Sequence, residues 1–191
     1  MPRSALLIID MQNDFVKEGA PLCVRKAGEI VEPLRHVLGV FRSLNLPVFH
    51  VLRIHRRDGS DVEIFRQEIF RKTPFAVEGT PGAQAISEIE PLPGEYLIRK
   101  TRMSAFMQTE LDLMLRTLSV DTVFIVGIQT PNCIRTTVFD ASALNYRTFL
   151  VEDAVAAQSE EIHRSNCRDM AAIGVGMVKA AAVETLVSPS S

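Results

Sequence analysis

The sequence predicts an α/β fold, a three-layer α/β/α sandwich on a doubly wound parallel sheet of six strands. Three observations carry this. Short continuous apolar runs, ALLII and VFIVGI among them, read as strands buried on both faces. Segments with helical apolar spacing stand between the runs, and that alternation implies parallel strands joined by right-handed crossovers. The chain has 191 residues, 47% hydrophobic and 23% charged, which suits one domain over 1–191 with a substantial core.

In order, Ala5 to Ile9 is the first strand and ends at Asp10. It is too short for a signal peptide core, and no small-residue cleavage site follows it. Met11 to Cys23 is a loop carrying Asp14, Phe15 and Gly19. From Gly28 to Leu44, Ile30, Leu34, Val37, Leu38 and Phe41 recur at helical spacing, and Asn45 stops the helix. Pro47 to Ile54 is the second strand. His55 to Pro81 is polar and mixed, with a short helical pattern near Val62 to Phe70; so long a stretch is often an active-site lid or a partner contact. Thr80-Pro81-Gly82 opens a short helix, and Glu95 to Arg99 is a strand ending at Lys100. Thr109 to Leu118 is helical, Val123 to Ile128 is a strand, and a helix runs from about Pro131 to Asn145. Thr148 to Val151 is a strand closing on Glu152 and Asp153, and Ser159 caps a helix to Ala172. Gly174 to Val178 is the last strand, Val183 to Val187 a helical turn, and Ser188 to Ser191 a frayed, flexible tail.

A net charge of −2 gives no general attraction to nucleic acid or an acidic membrane, and no apolar run reaches the roughly 20 residues of a membrane helix. The basic residues Arg53, Arg56 and Arg57 are balanced by Asp58, Asp61 and Glu63, which reads as a solvated, mixed-charge segment. Three cysteines without regular spacing argue against a disulfide framework and for a reducing, cytoplasmic compartment. No CxxC pair supports a zinc or thioredoxin-type motif.

In such sheets the ligand site lies beyond the carboxyl ends of the strands. The polar groups found there are Asp10, His55, Lys100, the turn Gln129 to Cys133, and Asp153. In VFIVGIQTPNCIRTTVFDA, Thr130 reads as an N-cap and Pro131 as the first helical residue, which puts Cys133 in the first turn. There the helix dipole and unpaired backbone N–H groups favour a thiolate and can hold an oxyanion. Asp10 can take the thiol proton and return it to a leaving nitrogen, and Lys100 can stabilise the negative charge. The economical reaction is acyl transfer from an amide to Cys133, then hydrolysis.

These residues resemble those of the isochorismatase-like cysteine hydrolases, whose members include nicotinamidase, N-carbamoylsarcosine amidase and ureidoacrylate amidohydrolase. The resemblance rests on ALLIIDMQNDF, KTRMSAF, VGIQTPNCIRTTVFDA and VEDAVAA, in that order over nearly the whole chain. It implies a catalytic triad of Asp10, Lys100 and Cys133, a cis peptide at Ile128–Gln129, and an oxyanion hole from the amides of Gln129 and Cys133. It also implies a homo-oligomer, a dimer or tetramer. Nicotinamidases of this family carry an Asp-x-His and a second histidine as a metal site after the second strand. Here His50 and His55 stand without an Asp-x-His, so neither a metal, a cofactor nor nicotinamidase activity is expected. Isochorismatase itself cleaves a vinyl ether without the cysteine; a retained Cys133 favours a small amide, ureide or carbamoyl substrate.

Each residue has a plainer reading. Cys23 and Cys167 are read as small buried hydrophobes. Lys100 taken alone is a surface lysine. Phe15 is read as a pocket wall, with plain core the alternative. Arg102 and Arg135 are candidate anchors for a substrate carboxylate, each with a structural ion pair as the alternative. His50 is read as packed, His163 as structural and Asp153 as capping the segment after it. GIQTPN lacks the glycines of a dinucleotide fingerprint. The competing functions are a non-catalytic binding or scaffold protein of the same fold, a metal-assisted nicotinamidase, and a thiol redox sensor.

Overall fold

The computed structural model describes residues 3–188. Six parallel strands form one sheet in the order β3-β2-β1-β4-β5-β6. They are β1 (Ser4–Ile9), β2 (Val48–Arg53), β3 (Tyr96–Lys100), β4 (Thr122–Ile128), β5 (Arg147–Ala156) and β6 (Gly176–Val178). The helices are α1 (Asn13–Val16), α2 (Val31–Ser43), α3 (Gln67–Lys72), α4 (Leu111–Thr117), α5 (Arg135–Ala143), α6 (Glu160–Ala172) and α7 (Val183–Val187). The expected flexible tail falls, from residue 189 on, outside the described residues.

The two-faced burial read from the apolar runs is realised residue by residue. Leu6 and Ile8 of β1 join one core with Leu34, Val37 and Phe41 of α2. Ala5, Leu7 and Ile9 join the other with Leu111 of α4, Val138 of α5 and Met170 of α6. A strand alternates its side chains between faces, so only a continuous apolar run satisfies both layers. Among the described residues no helix is long and apolar enough to cross a membrane.

Four expectations are corrected. β5 is longer than Thr148–Val151: its register against β4 shifts between Ile125 and Gly127, and Glu152 and Asp153 lie within the strand at that irregularity. Asp153 accepts from the N–H of Ala180, so it caps the turn at Ala180–Ala182 and not the segment that follows it. Thr130 is not an N-cap. The chain turns helical as a π-type turn over Thr130–Ile134, with Gln129 in the cap position, and the Thr130 hydroxyl instead meets His163 Nδ1 at 3.1 Å. Finally, Arg53 does not belong to a solvated segment; it ends β2 and is 1% exposed.

The segment after β2 folds over the carboxyl ends of the strands. His55 bridges to Val77, and Gln12 to Ala85. Phe70 and Phe75 pack edge-on to each other and to His55, and Phe75 also meets Phe15. The stretch is therefore a fixed wall with its own apolar contacts.

Candidate active site

The strand order reverses direction between β1 and β4, and a crevice opens at such a switch point. Asp10 follows β1, and Cys133 sits in the turn after β4. Gly127 sets their approach: its φ is +110°, and a Cβ there would lie 2.2 Å from the Ile9 carbonyl oxygen, so only glycine lets β4 close on β1. Asp10 itself adopts φ +53°, a left-handed conformation that aspartate tolerates better than most residues. Its N–H donates to Val51 and its carbonyl accepts from Gln12. The Gln12 side chain then clips the end of β2, donating to the Arg53 carbonyl and accepting from the Arg53 N–H, both at 2.8 Å. The Ile128–Gln129 peptide is cis, as the resemblance implied.

Lys100 is buried, not a surface lysine. β3 lies two strands from β1, and the long side chain reaches past β2 to place Nζ 2.8 Å from Asp10 Oδ2. Its other donations go to the carbonyls of Arg102 and Met103. All three ammonium protons are thereby used, and Lys100 fixes the carboxylate instead of serving the sulfur. Asp10 Oδ1 is buried and has no hydrogen-bond partner among the described residues. It is the open acceptor of the site.

The cation against the sulfur is Arg53, which sequence reasoning missed. It pairs in register with Lys100, so both side chains rise on one face of the sheet. Arg53 Nη2 lies 3.8 Å from Cys133 Sγ, while Nη1 donates to both oxygens of Glu63 at 2.9 and 3.1 Å and to the Thr101 carbonyl. Burial alone lowers the pKa of such a guanidinium; the negative groups at Cys133, Asp10 and Glu63 reverse this and carry it above its ordinary value. Burial likewise pushes Glu63 up, and Arg53 more than offsets it, holding that carboxyl below the usual range.

Asp10, Arg53 and Cys133 line one narrow cleft. Phe15, Leu22, Val24 and Ile128 form its apolar walls. Phe15 is thus a wall and a core residue at once. Gln129, Asn132 and Arg66 supply the remaining polar surface. Leu22, Arg66 and Gln129 also line a second cavity, which opens outward.

Arg102 and Arg135 do not line this cleft. Arg102 Nη1 donates to the carbonyls of Asp61 and Thr101, which ties down the loop after β2. Arg135 pairs with Asp169 at 2.7 Å and donates to Asn166. It lies two residues beyond Cys133, and such positions do not share a helix face. The structural alternative holds for both.

The metal-site residues of the nicotinamidases have no fitting counterpart. His50 Nε2 is 2.8 Å from Glu95, within a pair closed by Arg42. His55 is bonded to Asp61 and lies 3.4 Å from the Arg53 guanidinium, a fixed cation that repels a metal ion. Among the described residues no three His, Cys, Asp or Glu side chains converge as a ligand set.

A family model described as an isochorismatase domain matches residues 4–182. A protein of Arabidopsis thaliana described as a probable inactive nicotinamidase is 44% identical over 176 residues, 90% of this chain and 90% of that one. The maleamate amidohydrolase of Pseudomonas putida is 31% identical over 172 residues, 88% of this chain and 79% of that enzyme. The crystal structure of an isochorismatase family protein from Desulfovibrio vulgaris matches at TM-score 0.95 and 44% identity, covering 99% of this chain and 100% of that one.

Proposed function

The chain belongs to the isochorismatase family, and from that premise we propose that it is a cysteine hydrolase of a small amide, ureide or carbamoyl compound. What carries the proposal is the meeting in one cleft of Cys133 and an Asp10 with one oxygen held by Lys100 and the other without a partner among the described residues.

In the proposed reaction Asp10 Oδ1 takes the Cys133 proton as Sγ attacks the carbonyl carbon. Arg53 balances the charge on sulfur. The backbone N–H groups of Gln129 and Cys133 hold the oxyanion. Asp10 returns the proton to the nitrogen as the C–N bond breaks, and ammonia or an amine leaves. Water then attacks the thioester, giving a proton to Asp10, and the acid departs as the C–S bond breaks. Asp10 finally re-protonates the sulfur. Lys100 holds the Asp10 carboxylate in place through its contact with Oδ2. Among relatives, the name maleamate amidohydrolase supports C–N bond hydrolysis.

The name probable inactive nicotinamidase favours a second reading, a non-catalytic member of the fold. Such a protein has no need of an open Asp10 oxygen beside a thiol. The test is ammonia release from a panel of primary amides and ureides, comparing the native chain with Cys133→Ala. Release by the native chain alone is the expected result. Equal release by both removes Cys133 from the reaction, and silence from both with a slowly alkylated Cys133 supports the non-catalytic reading.

A further inference from the structure

We infer that Arg66 anchors a carboxylate on the substrate, so that the compound opened at Cys133 is a short-chain amide or ureide of a carboxylic acid. This rests on the hydrolase reading above and adds the substrate's charge and shape to it.

The other cations in and around the cleft are all committed. Lys100 is bonded to Asp10, Arg53 to Glu63, Arg102 to backbone carbonyls and Arg135 to Asp169. Arg66 differs. It lines both the inner cleft and the outer cavity, and among the described residues its guanidinium has no hydrogen-bond or ion-pair partner and lies 5.4 Å from the Phe65 ring. The residue is only half-exposed, so the wall of the site and not bulk water surrounds much of it. A planar guanidinium with its fork unoccupied is suited to two parallel bonds to a carboxylate.

Charge and shape agree. Asp10 is paired with Lys100 and Glu63 with Arg53, which leaves Arg66, whose charge Glu63 feels only at longer range, without an ion pair of its own at the mouth among the described residues. Between Arg66 and the sulfur the walls are apolar, with Phe15, Leu22 and Ile128 among them. A ligand that satisfies both ends has a reactive carbonyl, a short hydrocarbon spacer and one terminal carboxylate. Inorganic phosphate matches the charge but not the spacer.

The experiment uses the full chain, native and as Arg66→Met and Arg66→Lys. Ammonia release is compared for succinamate and butyramide, which differ in having a terminal carboxylate or methyl group. Separately, protection of Cys133 against iodoacetamide is measured with succinate and with phosphate, a readout that needs no turnover. The native chain is expected to prefer succinamate by about 30-fold in kcat/KM, the gain of one charge-assisted carboxylate anchor. Succinate, but not phosphate, is expected to protect the thiol. Arg66→Met brings the substrate ratio close to one and abolishes protection, and Arg66→Lys restores part of both. Protection by succinate that is equal in Arg66→Met overturns the anchor, as does an absence of protection in the native chain. Amide hydrolysis without acid preference also overturns the anchor while leaving the hydrolase reading standing. Arg66-dependent protection without hydrolysis of either amide keeps the anchor, and with a slowly alkylated Cys133 and silence across the amide and ureide panel it removes the hydrolase.

Discussion

Two clusters of buried charge sit on this sheet, and they are built to different ends. At the carboxyl ends of the strands, Asp10 and Arg53 line a cleft with Cys133, and Lys100 and Glu63 are their ion-pair partners. Elsewhere, Glu95 at the start of β3 is gripped by Arg42 through Nε and Nη2, by His50 Nε2 and by the N–H of Leu92. The Glu95 carboxylate is saturated. Burial pushes its pKa up, but those donors pull it down to about 2. Among the described residues Asp10 keeps one oxygen unpartnered, and it lines the same cleft as Cys133. The Glu95 cluster satisfies its carboxylate, as a cluster that serves the fold does; the open acceptor on Asp10 is what the proposed reaction needs.

That contrast can be broken by mutation. Cys133→Ala is expected to cut amide hydrolysis by about 10⁵-fold, as nucleophile removal does in other covalent hydrolases, with a melting temperature close to native. Steady-state ammonia release and calorimetry check the pair of outcomes. Gly127→Ala strikes what joins the two halves of the site. A methyl group 2.2 Å from the Ile9 carbonyl forces β1 and β4 apart, and a loss of about 4 kcal/mol in urea titration is expected.

Glu95→Gln is the mirror of the cysteine change. It leaves Arg42 and His50 without their counter-charge, and a loss of about 3 kcal/mol with kcat/KM unchanged is expected. It also alters the acid limb of stability. The folded pKa of Glu95 lies below its ordinary value, so its contribution is full above the unfolded carboxyl range and is lost as pH falls toward about 2. Burial lowers the pKa of His50, His55 and His163 as well. The unfolded chain protonates these first, so stability starts to fall as pH drops through about 6.5. Denaturation curves from pH 8 to 3 are expected to show both losses in the native chain, and the lower one reduced in Glu95→Gln. The smallest effect belongs to Arg135→Ala: its ion pair with Asp169 is half-exposed, and removing it is expected to cost about 0.5 kcal/mol by denaturant titration, with hydrolysis within twofold of native.

The sheet was legible because burial on both faces requires continuous apolar runs, and β1 and β4 have them. Asp10, Lys100 and Cys133 were legible because a polar residue closing an apolar strand is placed at the crevice by the fold itself. Arg53 carried the same signal, a charge inside VFHVLRI, but its neighbours Asp58, Asp61 and Glu63 made it resemble a surface cluster. Only the register with Lys100 identifies it. Arg66 carried no local signal at all. Its place depends on how the segment after β2 packs on Phe15 and His55, which is tertiary information. Arg102 and Arg135 were overvalued for nearness in sequence to Lys100 and Cys133, although residues two apart on a helix or in a turn point different ways.

The central claim is that Cys133 is a chemically activated thiol, and the alkylation rate of each cysteine at pH 7 tests it most directly. Exposure alone ranks the half-exposed Cys23 first, since Cys133 is only 5% exposed. Burial pushes the Cys167 thiol up to about 11, which makes it slow. Iodoacetamide labelling followed by peptide mass analysis is expected to find Cys133 modified at least about ten times faster than Cys23, with that lead lost in Asp10→Asn. A Cys133 no faster than Cys23 would contradict the account.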